Sequence, residues 1–206
     1  MIGFYNYTVI LTYIGMLSGF AGINYIWHGD LKMALICLMI CGICDMFDGK
    51  IASTMERTKQ EKRFGVQIDS LSDLICFGVL PSLIVMQCAE GSFFAPFISA
   101  LYLLCALIRL AWFNVDEEER QLLEDGGRET YLGLPVTSSA LVIPFIMGIC
   151  SLLSLPSSRI SPFVLLSMAI AFLTPFSMKK PGNKGKLILM ACGMVVFTIV
   201  FLGVIR

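Results

Sequence analysis

Seven apolar stretches, at about 7–27, 31–52, 66–88, 93–114, 132–153, 160–177 and 187–205, take up most of the 206 residues. A helix needs roughly 17–25 such residues to cross a hydrocarbon core. Backbone in lipid has no water to bond to, which leaves helices and closed barrels as the spanning forms. Barrel strands would show as short alternating segments, and these runs are long and continuous. The expectation is therefore an all-α polytopic membrane protein. The sixth run is the weakest, being short and holding Pro162 and Pro175. With 57% hydrophobic residues, the chain has too little polar surface for a soluble domain of this length. It reads as one domain over 1–206. No small-residue cleavage site follows the first run, so a first span is expected there and not a signal peptide.

Charge is informative by position, since fifteen cations balance fifteen anions. Arg57, Lys59, Lys62 and Arg63 lie between runs two and three, and Arg120 and Arg128 between four and five. Lys179, Lys180, Lys184 and Lys186 follow run six. The opposite loops hold only Arg159, with Lys32 at the start of run two and Arg206 at the end. By the positive-inside bias the first set is cytoplasmic. The N-terminus is then cytoplasmic; seven spans would put the C-terminus outside, six would return it. The partners expected are the lipid bilayer and small molecules, with no nucleic acid.

Cys41 and Cys44 are spaced CxxC, but no second pair exists and the one histidine, His28, lies at the far interface. Packing is the expectation for these thiols, because a zinc site needs four convergent ligands. His28 is expected in a solvated loop.

Asp45 and Asp48 stand at the cytoplasmic end of run two, Asp69 and Asp73 at the cytoplasmic start of run three. Spacings of three and four put each pair on one helix face. A short loop makes the two helices antiparallel neighbours, so four carboxylates converge at one depth. Ionisable groups there are costly and tend to mark function. Salt bridges to Lys50, Arg57, Lys62 or Arg63 are one compensation; divalent cations are the better one. Oxygen-only ligands suit Mg²⁺ or Mn²⁺ and disfavour zinc. Two ions about 3.5–4 Å apart would clamp an in-line phosphoryl displacement. In that reading Asp45, Asp48 and Asp69 are metal ligands. Asp73 takes the proton from an attacking hydroxyl and can also touch a metal. Gly49 and Gly65, with the small Ala52, leave room for a phosphate or nucleotide beside the backbone.

The order D-x-x-D-G-x-x-A, then G-x-x-x-D-x-x-x-D, reads here as DMFDGKIA at 45–52 and GVQIDSLSD at 65–73. It resembles the signature of the CDP-alcohol phosphotransferases, which displace CMP from a CDP-linked lipid or alcohol. The resemblance implies a six-helix core, a homodimer, a dimetal site made by these aspartates, and a nucleotide lying against Gly49, Ala52 and Gly65. The core would cover about 1–178, with an additional C-terminal span at about 187–205. Two departures stand out. Ser53 occupies the nucleotide-site position where the family usually has Arg, and the run before Gly65 is three residues longer than the common eight. Arg57, placed one helical turn from Ser53, is the candidate to supply that cation.

FGVLPS at 77–82, RLAWFN at 109–114 and GLPVTSSA at 133–140 look like the corresponding stretches of the CDP-diacylglycerol–serine O-phosphatidyltransferases. This implies transfer of a phosphatidyl group from CDP-diacylglycerol to L-serine. Arg109, in an apolar run about one turn from Asn114, would suit the serine carboxylate; pairing with an aspartate of the cluster or with lipid phosphate is the other reading. Asn114 would bind the acceptor or cap the helix end. Thr137, Ser138 and Ser139 would add polar contacts or pack helices together, and Trp27, Tyr102 and Trp112 belong to packing or the interfacial belts. The acidic stretch 116–130 reads as a solvated loop or short surface helix. The same chemistry on glycerol 3-phosphate or an inositol phosphate is the alternative. Those acceptors call for several cations, and the spans offer mainly Arg109. A carboxylate-lined cation transporter is the alternative from another class.

Overall fold

The computed structural model describes residues 3–123, 130–179 and 182–204. Among them seven helical rods follow the seven apolar runs: α1 Ile10–Trp27, α2 Leu31–Ala52, α3 Lys59–Cys88, α4 Ala95–Leu123, α5 Ser139–Leu152, α6 Ser157–Leu173 and α7 Asn183–Ile199. Tyr7–Trp27, Lys59–Cys88 and Ala95–Glu119 are long and apolar enough to cross a membrane; α5, α6 and α7 contribute shorter apolar segments. Large apolar side chains cover the outside, among them Leu17, Phe20, Ile43, Phe163, Ile170 and Val195. That is the surface of a bundle bathed in lipid, and the chain is an integral membrane protein. Pro162 sits inside α6, which ends at Leu173 with Thr174 extended before Pro175, as the ring of the following proline demands.

Two features were not expected. Thr130–Leu132 and Ser177–Lys179, here β1 and β2, pair antiparallel as a short ribbon. The third helix also begins earlier than the apolar run that forms most of it. Thr58 and Glu61 form a reciprocal capping box that starts α3 at Lys59, so its first two turns are polar and stand clear of the apolar stretch.

Small residues set how closely the helices approach. Gly15, Gly19 and Gly22 line one face of α1. A Cβ on Gly19 would fall 2.8 Å from the Cys76 sulfur, and one on Gly22 2.8 Å from Leu80. The backbone of α1 therefore lies directly against α2 and α3. At the other side α7 packs on α5 and α2, with Ile199 so near Gly148 that a Cβ there would lie 2.9 Å from it. Leu35, Leu38, Phe77, Leu80, Tyr102, Ile143, Leu165 and Phe172 form the shared core.

Just after Asp73 the helix widens into a π-turn at Leu74–Val79, with the Leu80 N–H donating to the Ile75 carbonyl. Pro81 lacks the N–H that would bond the Phe77 carbonyl four residues back. That carbonyl accepts instead from the Tyr102 hydroxyl at 2.7 Å and the Ser139 hydroxyl at 3.4 Å, both on other helices. Tyr102 is thus a packing residue, fully buried, whereas Trp27 is 88% exposed.

Candidate active site

Asp45 and Asp48 project from the last two turns of α2, and Asp69 from the facing side of α3. One carboxylate oxygen from each lies within 4.8 Å of the other two. Asp73, one turn further along α3, lines the same small cavity together with Thr12, Gly15, Ser72 and Cys76. It stands behind the close trio and is not part of it. Thr12 donates to Asp48 Oδ2 at 3.4 Å, and the Ser72 hydroxyl donates to the Thr12 carbonyl, also at 3.4 Å. These contacts bring α1 into the site. Sequence reasoning overlooked Thr12, although the glycine spacing GMLSGFAG at 15–22 marks the face of α1 that has to lie against α2 and α3.

The sulfurs of Cys41 and Cys76 both donate to the Gly15 carbonyl, at 3.2 and 3.4 Å, forming the floor of the cavity. All the cysteines are free thiols, and Cys41 and Cys44 are buried, as packing residues should be. His28 is exposed, with its Nδ1 2.8 Å from the Asn24 carbonyl.

The two glycines have different surroundings. Nothing lies within 4 Å of where a Gly49 Cβ would be, so that position opens onto free space. A Cβ on Gly65 would meet Arg57 Nη1 at 3.1 Å. Ser53 closes α2: its hydroxyl donates to the Lys50 carbonyl at 2.7 Å. The helix stops there, so Arg57 is not one helical turn beyond Ser53 as the spacing suggested; it comes from a non-helical loop, and its guanidinium meets α3 at Gly65. The N-terminal segment straps this loop. Tyr7 bonds Thr54 at 3.1 Å, Asn6 donates to Glu61 at 3.1 Å, and Phe4 meets Phe64 edge to face.

Asn114 is not a helix cap, because α4 continues to Leu123. It accepts from the Ser70 hydroxyl at 2.7 Å, which sets it beside α3 one residue from Asp69. The acidic stretch begins as the end of this same helix, and its residues 124–129, with Arg128, lie outside the described residues. Arg109 is 6% exposed, flanked by the Trp112 and Phe113 rings. Its Nη2 donates to the Leu132 carbonyl at 2.5 Å and its Nε to the Leu134 carbonyl at 3.4 Å. Between those two carbonyls Gly133 turns the chain at φ +76°, with its N–H on the Phe176 carbonyl at 2.7 Å. A side chain there would be strained by the left-handed backbone and crowded by the Thr174 and Phe172 carbonyls at 3.1 and 3.2 Å. Ser138 bonds back to Pro135, as expected of a helix start.

Three relatives show what the chain is similar to. It is 30% identical over 166 residues to the archaetidylserine synthase of Methanothermobacter thermautotrophicus, a stretch covering 79% of this chain and 67% of that one. It is 33% identical over 144 residues to the CDP-diacylglycerol–serine O-phosphatidyltransferase of Saccharomyces cerevisiae, covering 64% and 51%. The enzyme of that name in Helicobacter pylori is 30% identical over 139 residues, covering 66% and 53%. The chain thus spans about half the length of the latter two. The family model described as CDP-alcohol phosphatidyltransferase matches residues 5–200, from the N-terminal strap through the aspartates and into α7. On that match the chain belongs to the CDP-alcohol phosphatidyltransferase family.

Proposed function

We propose that this protein transfers a phosphatidyl group from CDP-diacylglycerol to L-serine, forming phosphatidylserine and releasing CMP. The observation that carries this reading is the convergence of Asp45, Asp48 and Asp69 across two helices in a member of this family. Serine as acceptor rests on the relatives, whose names share it although their lipids differ.

The donor set fits a hard divalent cation. Carboxylate oxygens gather around the cavity, and among the described residues no lysine or arginine lines it. Asp45, Asp48 and Asp69, with Asp73 behind them, would hold Mg²⁺ or Mn²⁺, two ions in our reading. When bound, the metal supplies positive charge to the diphosphate of the donor. The protein's own residues do the rest. Asp73 accepts the proton of the serine hydroxyl as its oxygen bonds to the phosphatidyl phosphorus; the bond from that phosphorus to the CMP oxygen breaks. Gly49, Ala52, Ser53 and Gly65 border the nucleotide. Asn114, bonded to Ser70 beside Asp69, faces the acceptor, and Arg109 shapes the acceptor side by holding the Leu132–Leu134 turn.

The diacylglycerol chains stay in the bilayer while serine enters from the cytoplasm, the side to which we assign the cation-rich loops. The functional unit is a homodimer, and α7 is an addition to a six-helix core. The test is CMP release by the purified full chain from CDP-diacylglycerol with a panel of acceptors, with Mg²⁺, with Mn²⁺ and with chelator. Release needing both metal and L-serine supports the proposal. Release with glycerol 3-phosphate or an inositol phosphate instead overturns the acceptor, and metal-independent release overturns the site.

A further inference from the structure

We infer that Arg57 is the phosphate anchor of the nucleotide site, reaching the donor's diphosphate from the loop between α2 and α3 across the bare backbone of Gly65. The inference rests on the reading of this site as one that binds a CDP-linked donor. Arg57 Nη1 lies 3.1 Å from where a Gly65 Cβ would be, so the glycine is the surface against which the guanidinium rests. Gly65 is one helical turn before Asp69, a member of the carboxylate trio. The guanidinium therefore rests on α3 beside Gly65, one helical turn before a member of the trio.

The arginine also has a donor without a partner of its own. Its Nε is buried and has no hydrogen-bond acceptor among the described residues. Glu61 feels the Arg57 charge but takes its hydrogen bonds from elsewhere: Oε2 accepts from the Thr58 N–H and hydroxyl, both at 2.8 Å, and Oε1 accepts from Asn6. A shielded guanidinium donor without an acceptor is costly, and a phosphate presents the oxygens that its planar fork matches. At position 53 itself the chain has no cation, and the Ser53 hydroxyl is turned back onto the Lys50 carbonyl; Lys50, in the last turn of α2, is exposed. Arg63 is engaged elsewhere, with Glu118 at 2.6 Å.

The loop is built to hold this pose. The Thr54 hydroxyl donates to the Ile51 carbonyl at 2.8 Å and also meets Tyr7, while Thr58 opens α3 through its capping box. Arg57 is thus pinned between two fixed points, Thr54 and Thr58. The chain carries its cation on the lengthened loop, where the glycine gives it access, and a neutral residue at the helix end.

The experiment measures binding of CDP and of cytidine to the full chain in detergent with Mg²⁺, for the wild type, Arg57→Ala, Arg57→Lys and Arg57→Ala combined with Ser53→Arg. The expected result is a loss of at least about tenfold in CDP affinity for Arg57→Ala, the order of one charge-assisted hydrogen bond. Cytidine affinity and the thermal midpoint stay unchanged, Arg57→Lys falls between, and Ser53→Arg restores part of the loss. In turnover, KM for CDP-diacylglycerol rises while KM for L-serine holds. CDP binding by Arg57→Ala within about twofold of wild type overturns the inference, as does equal loss of CDP and cytidine, which marks a structural role. Failure of the wild type to bind either ligand overturns the CDP reading itself, and the anchor with it.

Discussion

Asp69 is the residue on which the site turns, because it alone of the α3 aspartates joins Asp45 and Asp48 within 4.8 Å. Asp69→Asn keeps the shape and removes one charge. We expect CMP release to fall by at least about a hundredfold, more than the loss of a supporting outer contact to a metal ligand, with the thermal midpoint in detergent held or raised. The substitution relieves the repulsion between neighbouring carboxylates, which acts to raise stability. Turnover within tenfold of wild type would remove Asp69 from the metal site. The convergence of Asp45, Asp48 and Asp69 was legible from spacing alone. Arg57 was legible only as a guess at a missing charge, since a six-residue non-helical loop lies between α2 and α3 and no periodicity predicts where its side chains go.

At the scale of elements, the π-turn at Leu74–Val79 decides how α3 carries Asp69 and Asp73 towards the site while packing its second half in the core. Wide turns of this kind are frequent at functional sites. The Phe77 carbonyl, deprived of its helical donor by Pro81, is the joint between α3, α4 and α5. Tyr102→Phe removes the shorter of its two bonds. The expected cost is about 0.5–2 kcal/mol, read as a lower thermal midpoint in detergent. An unchanged midpoint would show that Ser139 alone satisfies the carbonyl. Pro81 in FGVLPS announces a disturbed helix, but which hydroxyls answer it depends on helices more than twenty residues away in sequence.

The whole molecule is organised by sidedness. Thr54 meets the N-terminal segment, Arg63 pairs with Glu118, and the ribbon joins the chain before α5 to the chain after α6; these contacts tie together the connections the charge pattern had grouped. Lys32, at the start of α2, lies over the Phe201 ring beyond α7, which puts the end of that helix at the opposite pole. Exposed surface pairs such as Arg63–Glu118 contribute only about 0–1 kcal/mol, so they report the arrangement more than they stabilise it. Cysteines placed at Lys59 and at Gly91, in a variant whose exposed Cys192 is replaced by Ser, should react with a membrane-impermeant thiol reagent from opposite sides. Lys59→Cys should label from the cytoplasm. Labelling of both from one side would overturn the crossing of α3.

What the sequence determined by itself was the class and the carboxylate cluster: seven apolar runs compel helices in lipid, and carboxylates repeated at three and four residues must share a face. Both follow from local rules, the length of a span and the pitch of a helix. The tertiary structure alone decided which neighbours complete the site. Thr12 reaches Asp48 because a glycine face lets α1 approach. Asn114 meets Ser70 because α4 runs on past it, and Arg57 meets Gly65 because a capped loop folds back. Those contacts join segments from 8 to 60 residues apart. No local periodicity encodes them; they appear only when the helices pack.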